Sequence, residues 1–185
     1  MTRGHAAMNP EVIKHLVSMR HSPLHNYIVP GLTSWLIMDQ GAGGKVRMFE
    51  STREQHEFIT PHSHRFDFIA CVVEGHVHNT LWTPSPNGDE CQVTRTTYLN
   101  EPGKYTSEVW QKDRFVTEEL CYGESRWYDM KFSEIHSIRF SKGAKVLFFE
   151  GPTKVNCSYI LEPIVDGEHL HTMRTEPWMF RKGER

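Results

Sequence analysis

Apolar and polar residues alternate with a period of two along most of this chain, and the clearest run lies between residues 62 and 74. It begins with the pair His62 and His64 and continues with apolar residues at 66, 68, 70 and 72. Side chains two positions apart in a strand point to the same face of the sheet. The pattern therefore predicts one strand over 62–74, closed by a turn at Gly75, with both imidazoles and an apolar wall on one face.

Only the segment near the N-terminus has helical spacing. Asn9 and Pro10 are residues typical of a helix start, and they precede an apolar stripe of Val12, Ile13, Leu16 and Val17. We expect a helix that ends near Met19 and packs on the outside of a sheet.

The rest of the chain consists of short apolar runs between turn residues. Besides 62–74, the predicted strands are 34–38, 45–50, 76–83, 91–99, 105–110, 115–122, 135–140, 145–150 and 155–161. Clusters of Gly, Pro, Asn, Asp and Ser predict turns at 41–44, 84–89, 101–103 and 141–143. So many short strands in 185 residues predict a single all-β domain, either a sandwich or a small barrel.

The predicted organisation has three parts. Residues 1–26 form an N-terminal tail and helix, residues 27–165 form the β-barrel, and residues 166–185 form a polar tail that packs on the barrel or on a partner subunit. The length is sufficient for one domain with a full core.

Composition excludes several classes of protein. The chain has 21 Lys and Arg against 23 Asp and Glu, with a net charge of -2, and no basic patch indicates nucleic acid or a membrane surface. No apolar run approaches the roughly 18 residues of a membrane span, and the first residues lack the apolar core of a signal peptide. We expect a soluble cytoplasmic protein whose four cysteines are reduced thiols.

Histidine is the unusual residue, with 12 in the chain and three His-x-His pairs, at 62/64, 76/78 and 169/171. If His136 faces inward from the predicted strand 135–140, it can approach His62 and His64. Imidazole is a ligand that suits Zn, Cu, Fe and Ni, so the ligand type does not select the metal. Three neutral imidazoles leave the charge of the ion uncompensated and leave coordination positions open, which favours an anionic, bidentate substrate.

The order of these histidines resembles the cupin superfamily, in which a His-x-His pair is followed by a Gly turn and later by a third His. Here the matching residues are His62, His64, Gly75 and His136, and the resemblance, which covers roughly residues 45–160, is to small cupins similar to the cysteine dioxygenases. It implies a double-stranded β-helix, metal ligation by the three histidines, Fe(II) as the metal, dioxygenation and a homodimer. Zn, Ni and Mn remain alternatives for the metal.

One departure from the family pattern concerns the acidic ligand. The family acid falls four or five residues after the second His, where this chain has Phe68 and Ile69. Asp67 lies at three residues, which in a regular strand places it on the opposite face. The expected site therefore has three His ligands rather than three His and one Glu.

Other polar residues have both a functional and a structural interpretation. Glu134 is either a general base or fourth ligand on the pocket face, or a solvated carboxylate. Asp67 either holds a ligating imidazole or forms a surface salt bridge. Pocket or substrate contacts and ordinary surface roles are the alternatives for His76, His78, His169, His171, Arg65 and Arg139.

Three functions are compatible with these residues. The first is a non-haem Fe(II) dioxygenase that acts on a small anionic chelating substrate. The second is a Zn- or Mn-dependent hydrolase, lyase or isomerase with Glu134 as general base, and the third is a non-catalytic binder of a small ligand. A homodimer is also expected because Ile69, Cys71 and Val73, on the outward face of the predicted strand, are apolar and need cover.

Overall fold

Antiparallel strands form most of the protein, which confirms the all-β class with a short N-terminal helix. The computed structural model describes residues 9–56, 58–99, 104–165 and 168–169. The helix is α1 (Pro10–Ser18), and a short 3-10 turn covers Gly41–Gly43. The strands are β1 (His21–His25), β2 (Leu32–Asp39), β3 (Lys45–Ser51), β4 (Phe68–Glu74), β5 (Val77–Tyr98), β6 (Tyr105–Tyr122), β7 (Trp127–Met130), β8 (Ile135–Phe140), β9 (Lys145–Glu150), β10 (Cys157–Val165) and β11 (Glu168–His169).

The strand order is that of a jelly roll. One sheet has the order β1-β2-β3-β9-β4-β7. In the other sheet β5 pairs with β6 on one edge, and with β8 and β10 at different heights on the other edge. A short extended segment at His62 pairs with both β8 and β10. The cores β3-β9-β4-β7 and His62-β8-β5-β6 thus interleave early and late strands, which agrees with the predicted double-stranded β-helix.

The main hydrophobic core lies between the two sheets. Phe68, Ala70 and Val72 of β4 pack there against Ile138 and Phe140 of β8, and all five side chains are buried. The predicted apolar face of the organising segment is therefore the inner face of its sheet.

Helix α1 covers the outer face of the same sheet. The Asn9 side chain caps it by accepting a hydrogen bond from the Glu11 amide at 2.9 Å. Ile13, Leu16 and Val17 pack on an outer cluster that includes buried Cys71 and partly buried Val73. The helix therefore covers Cys71 and Val73, whereas Ile69 stays 39% exposed. The homodimer remains a prediction.

Two predicted strand boundaries are wrong near the organising segment and in β5. Residues 63–67 are not part of a strand, and β4 begins only at Phe68. The predicted turn at 84–89 does not reverse the chain, because β5 continues through it with a register shift in which Pro84 and Asp89 both oppose Phe115. Gly88 approaches the backbone of Phe115 too closely to leave room for a Cβ atom. Pairing with β6 therefore turns these residues into a bulge.

Other differences are smaller. Predicted strands 105–110 and 115–122 are joined in β6, while β1 and β7 were not predicted. All four cysteines are free thiols, two of them buried. The described part of the chain has no helix with the length and apolarity of a membrane span. The C-terminal tail lies outside the described residues, except for the backbone of β11.

Candidate metal centre

His62 and His136 are brought together by backbone pairing. The His62 amide donates to the His136 carbonyl at 2.8 Å, and the His136 amide donates back to the His62 carbonyl at 3.0 Å. Next to them, the Ser63 amide donates to the Tyr159 carbonyl at 2.9 Å. The segment thus lies between β8 and β10, and directly opposed residues of an antiparallel pair present their side chains on the same face.

His64 completes the cluster from the irregular segment that follows. The ring centroids of His62 and His64 are 4.9 Å apart, and those of His64 and His136 are 5.2 Å apart. One potential ligand nitrogen of each imidazole lies within 4.8 Å of the other two, and the Nε2 atoms of His64 and His136 are 3.0 Å apart. The structure therefore brings together the three histidines that the sequence pattern indicated.

Hydrogen bonds orient two of the three rings. Nδ1 of His62 donates to the Thr60 carbonyl at 2.7 Å, and Nδ1 of His136 donates to Oδ1 of Asn79 at 2.7 Å. A carbonyl oxygen only accepts, so we assign the proton of each ring to Nδ1, which leaves the lone pair of Nε2 free to bind a metal. Nδ1 of His64 is buried without a hydrogen-bond partner, and packing between Phe66 and Phe68 holds this ring.

The environment favours neutral imidazoles. Burial lowers the pKa of His62, and it lowers the pKa of His64 and His136 far more. Repulsion between the rings lowers the pKa values of His64 and His136 further. A neutral imidazole is the form that ligates a metal. The converging imidazole nitrogens, the hydrogen-bonded rings of His62 and His136 and the neutral charge state fit a divalent transition metal.

The imidazoles line a largely apolar cavity of about 60 Å³, several times what one water needs. Phe68 forms the wall next to the imidazoles. Its ring centroid lies 4.8 Å from that of His64 and 4.5 Å from that of Phe148. The other lining residues are Tyr27, Ile28, Leu32, Arg47, Phe49, Ile59, Phe66, Tyr128, Ile138, Phe140, Val146 and Glu150. Arg47 and Glu150 are the charged residues of this lining.

A tight turn before β2 contributes one edge of the cavity. Ile28 has a backbone φ of 66°, and the Val29 amide donates to the Tyr27 carbonyl at 2.7 Å. This is a γ-turn with a positive φ at its centre, a rare and strained geometry for a β-branched residue. The strained turn places Ile28 against the cavity and Tyr27 on Phe49, with stacked ring centroids 5.7 Å apart.

The acidic candidates lie away from the imidazoles. Glu134 is exposed, and its Oε2 accepts from the Lys131 amide at 2.6 Å in the turn between β7 and β8. This placement agrees with the interpretation as a solvated carboxylate. Asp67 accepts from the Phe132 amide at 2.9 Å and from Lys154 Nζ at 2.7 Å, as expected for the surface salt bridge. These contacts lower the pKa of Asp67, the Lys154 hydrogen bond most strongly.

The other basic candidates also lie outside the cavity lining. His78 bonds to Glu119 through Nδ1 at 3.0 Å, and His76 is exposed beside it. The Arg65 guanidinium lies 4.1 Å from the Tyr98 ring centroid, and that of Arg139 lies 4.9 Å from the Phe58 ring centroid. The side chains of the third pair, 169/171, are outside the described residues.

Three residues of the site were missed from the sequence. Asn79, which is fully buried, orients His136. Arg47 and Glu150 line the cavity from β3 and β9. A signal was present in each case, because strand alternation puts Asn79 in phase with Val77 and puts Arg47 and Glu150 in phase with Phe49 and Phe148.

The jelly-roll fold and the buried cluster of three imidazoles define the class, an all-β protein with a site for a divalent transition metal. A scan against protein-family models found no match, and a search of curated proteins found none. Solved structures with a similar chain path include KdgF from Halomonas sp., with 14% identity, coverage of 72% of this chain and 90% of that chain, and a TM-score of 0.42.

Two further structures have similar scores. Hydroxypropylphosphonic acid epoxidase from S. wedmorenis is 12% identical, with coverage of 72% of this chain and a TM-score of 0.44, and the chain spans only 56% of the epoxidase. Oxalate decarboxylase from Bacillus subtilis is 14% identical, with coverage of 76% of this chain and 30% of that chain, and a TM-score of 0.43. Similarity at this level carries no information on substrate or reaction, and the likeness to cysteine dioxygenases remains a prediction.

Proposed function

We propose that this protein is a metal-dependent enzyme of the cupin type that oxidises a small anionic substrate with O₂, with Fe(II) as its metal. The observation that carries the proposal is the cluster of His62, His64 and His136, which is embedded in a largely apolar, aromatic cavity. The metal-ligand group found among the described residues contains no carboxylate.

The charge of the ligand set supports an anionic substrate. Three neutral imidazoles do not compensate the charge of a divalent ion, so a chelating anion is favoured in the open positions. When bound, Fe(II) supplies Lewis-acid and redox chemistry at these positions.

The chain itself supplies orientation and a dry environment. Thr60 and Asn79 fix two of the rings through their Nδ1 atoms. Phe66, Phe68 and Phe148 surround His64, with ring centroids 4.8 to 6.4 Å from the imidazole. Their apolar surfaces limit the access of water, which strengthens electrostatic interactions within the cavity.

The hydrolytic alternative has less support. Its general base was Glu134, which is exposed and bonded to a backbone amide of the β7–β8 turn. The lining of the cavity contains another carboxylate, that of Glu150. This residue lies two positions after Phe148 in β9 and is not part of the cluster of three histidines.

Metal analysis and oxygen uptake test the proposal. The purified protein is reconstituted anaerobically with Fe(II), and uptake is measured with small chelating anions. We expect stoichiometric iron and substrate-dependent uptake, and we expect His136→Ala to lower the metal content at least tenfold. His76→Ala, a change of an exposed histidine outside the cavity, is the matched control and should retain metal.

Each other outcome has a distinct meaning. Tight zinc binding without uptake supports the hydrolytic alternative, and metal binding without any turnover supports a ligand-binding role. A folded protein that binds no divalent metal contradicts the proposal.

A further inference from the structure

Two opposite charges lie on the same wall of the cavity. Arg47 of β3 is the direct cross-strand neighbour of Phe148 in β9, and Glu150 follows two residues after Phe148. All three side chains therefore point to the same face of the sheet, and all three line the cavity. Diagonal neighbours of this kind are roughly 7–8 Å apart, with their Cβ atoms somewhat closer, and a small molecule can bridge such a separation.

The two charges are not joined in an ion pair, although Arg47 acts on the Glu150 carboxylate electrostatically and opposes the rise of its pKa. In the described part of the chain, no ion pair within 4.0 Å joins Arg47 to Glu150, and the Glu150 carboxylate has no hydrogen bond. Arg47 donates from Nη1 to Ser34 Oγ at 3.2 Å, and its guanidinium lies 5.9 Å from the Tyr27 ring centroid. These contacts direct the guanidinium without using a negative charge.

The cost of this arrangement points to a ligand. Both side chains are partly buried among aromatic residues, and burial raises the pKa of Glu150 although Arg47, Lys45 and Arg65 act in the opposite direction. Partly desolvated charges without partners are unfavourable unless a ligand or water supplies the missing interactions. Water at the cavity mouth can be replaced by a ligand that carries both complementary charges.

We propose that the cavity binds a small zwitterion of the amino-acid type, with its carboxylate on Arg47, its ammonium on Glu150 and its side chain directed along Phe148 towards the three imidazoles. This inference rests on the proposed function and adds a subsite to it: Arg47 and Glu150 bind the zwitterionic end of the substrate, and the anionic group that binds the metal is carried at the end of the side chain. Arg47 can bind a carboxylate with two parallel N–H donors. Phe148 connects the two ends of the cavity, because its ring centroid is 6.4 Å from that of His64.

Metal-free protein allows the test to be made without turnover. Calorimetric titration compares four probes that share an unbranched five-carbon chain: L-norvaline, its amide, N-acetyl-L-norvaline and pentanamide. The amide lacks the carboxylate, the acetylated compound lacks the ammonium, and pentanamide lacks both charges. We expect L-norvaline to bind at least tenfold more tightly than any of the other three, since each charge-assisted contact is worth about ten- to a hundredfold in affinity.

Two variants assign each charge to its residue. Arg47→Met should abolish the preference for L-norvaline over its amide, and Glu150→Gln should abolish the preference over the acetylated compound. Arg139→Met and Glu74→Gln change an arginine and a glutamate outside the cavity lining, and they should leave all four affinities unchanged. If Arg47→Met does not fold, Arg47→Lys keeps the charge but removes the paired donors, and should weaken L-norvaline binding several-fold.

The results separate this inference from the proposed function. Equal affinity for the four probes, or no binding of any probe by folded protein, overturns the zwitterion site. Cobalt(II) titration of the same variants reports the metal site independently. If the wild-type protein does not bind cobalt(II), the proposed function is contradicted, but the measurement of zwitterion binding is unaffected.

Discussion

His136 and Asn79 form a hydrogen bond of 2.7 Å between Nδ1 and Oδ1, and both side chains are buried. The two residues lie on the adjacent strands β8 and β5, where Asn79 opposes Ile138 in the ladder. The amide oxygen of Asn79 therefore fixes the orientation of the imidazole from a position that contributes no ligand itself. Partners of this kind commonly change metal affinity 10- to 100-fold.

Replacement of Asn79 tests this role. Asn79→Ala should lower the affinity for cobalt(II) or zinc(II) about 10- to 100-fold, because the ring of His136 loses its fixed orientation. Asn79→Asp, which keeps an acceptor oxygen, should retain more of the affinity. Competition with a chromophoric chelator measures both variants. Wild-type affinity in a folded Asn79→Ala protein would show that packing alone orients the imidazole.

The stability of the metal-free protein should fall in mild acid. The three imidazoles have folded pKa values below the unfolded value of about 6.5. Below pH 6.5 the unfolded chain therefore binds more protons than the folded protein. The contribution of the neutral imidazoles to the free energy of unfolding is fully present above that pH, and it is lost as the pH falls towards the folded pKa values. Each ring contributes up to about 1.4 kcal/mol per pH unit in this window.

Urea denaturation at pH 7.5, 6.0 and 5.0 measures this dependence. His136→Gln should reduce the slope because it removes one of the three groups. Glu150 acts in the opposite direction, since its pKa is raised in the folded state and protonation then favours folding. A stability that is constant from pH 7.5 to 5.0 would contradict the assignment of neutral, buried imidazoles.

The γ-turn at Ile28 predicts that the glycine variant at this position is more stable than the alanine variant, which reverses the usual order. Alanine keeps the unfavourable positive φ, which costs a residue with a Cβ about 1–2 kcal/mol, whereas glycine adopts it freely. Ile28→Gly should therefore be about 0.5–1 kcal/mol more stable than Ile28→Ala in urea denaturation. The same pair at Val73, inside β4, should give the ordinary order with alanine more stable. The same order at both positions would refute strain at Ile28.

Glu134 should prove to be structural. Glu134→Ala removes the acceptor for the Lys131 amide and should cost about 0.5–1.5 kcal/mol of stability, with metal affinity unchanged within twofold. Glu134→Gln, which keeps an acceptor oxygen, should also keep the turnover. A Glu134→Gln protein that retains metal but loses turnover would restore the interpretation of this residue as a general base.

The class of fold and the three-histidine cluster could be predicted from local patterns. Alternation of apolar residues marks a sheet face regardless of the partner strands, and the phase of 66, 68, 70 and 72 was correct. The predicted strand 62–74 was too long, because residues 63–67 are not in a strand. The predicted proximity of His62 and His64 was nevertheless correct. His62 and His64 converge because His62 pairs with β8 and β10 and because His64 packs between phenylalanines, not because both lie in one regular strand.

The missed features depend on contacts between residues far apart in sequence. Turn residues at 84–89 stay within β5 because β6 pairs on both sides of the bulge, which no local pattern reveals. β7 has only four residues, and its position is set by pairing with β4. Asn79, Arg47 and Glu150 are polar residues at inward positions, and their roles required knowledge of which strands face the histidines.

Helix α1 also determines how the protein can be shortened for laboratory work. A truncated version that begins after Met19 would lack Ile13, Leu16 and Val17, and the patch formed by Val73, Trp127 and Phe149 would lose its cover. Such a product would expose an apolar surface on the outer face of an otherwise intact barrel and should self-associate. Solubility screens of recombinant fragments should therefore keep the amino-terminal helix.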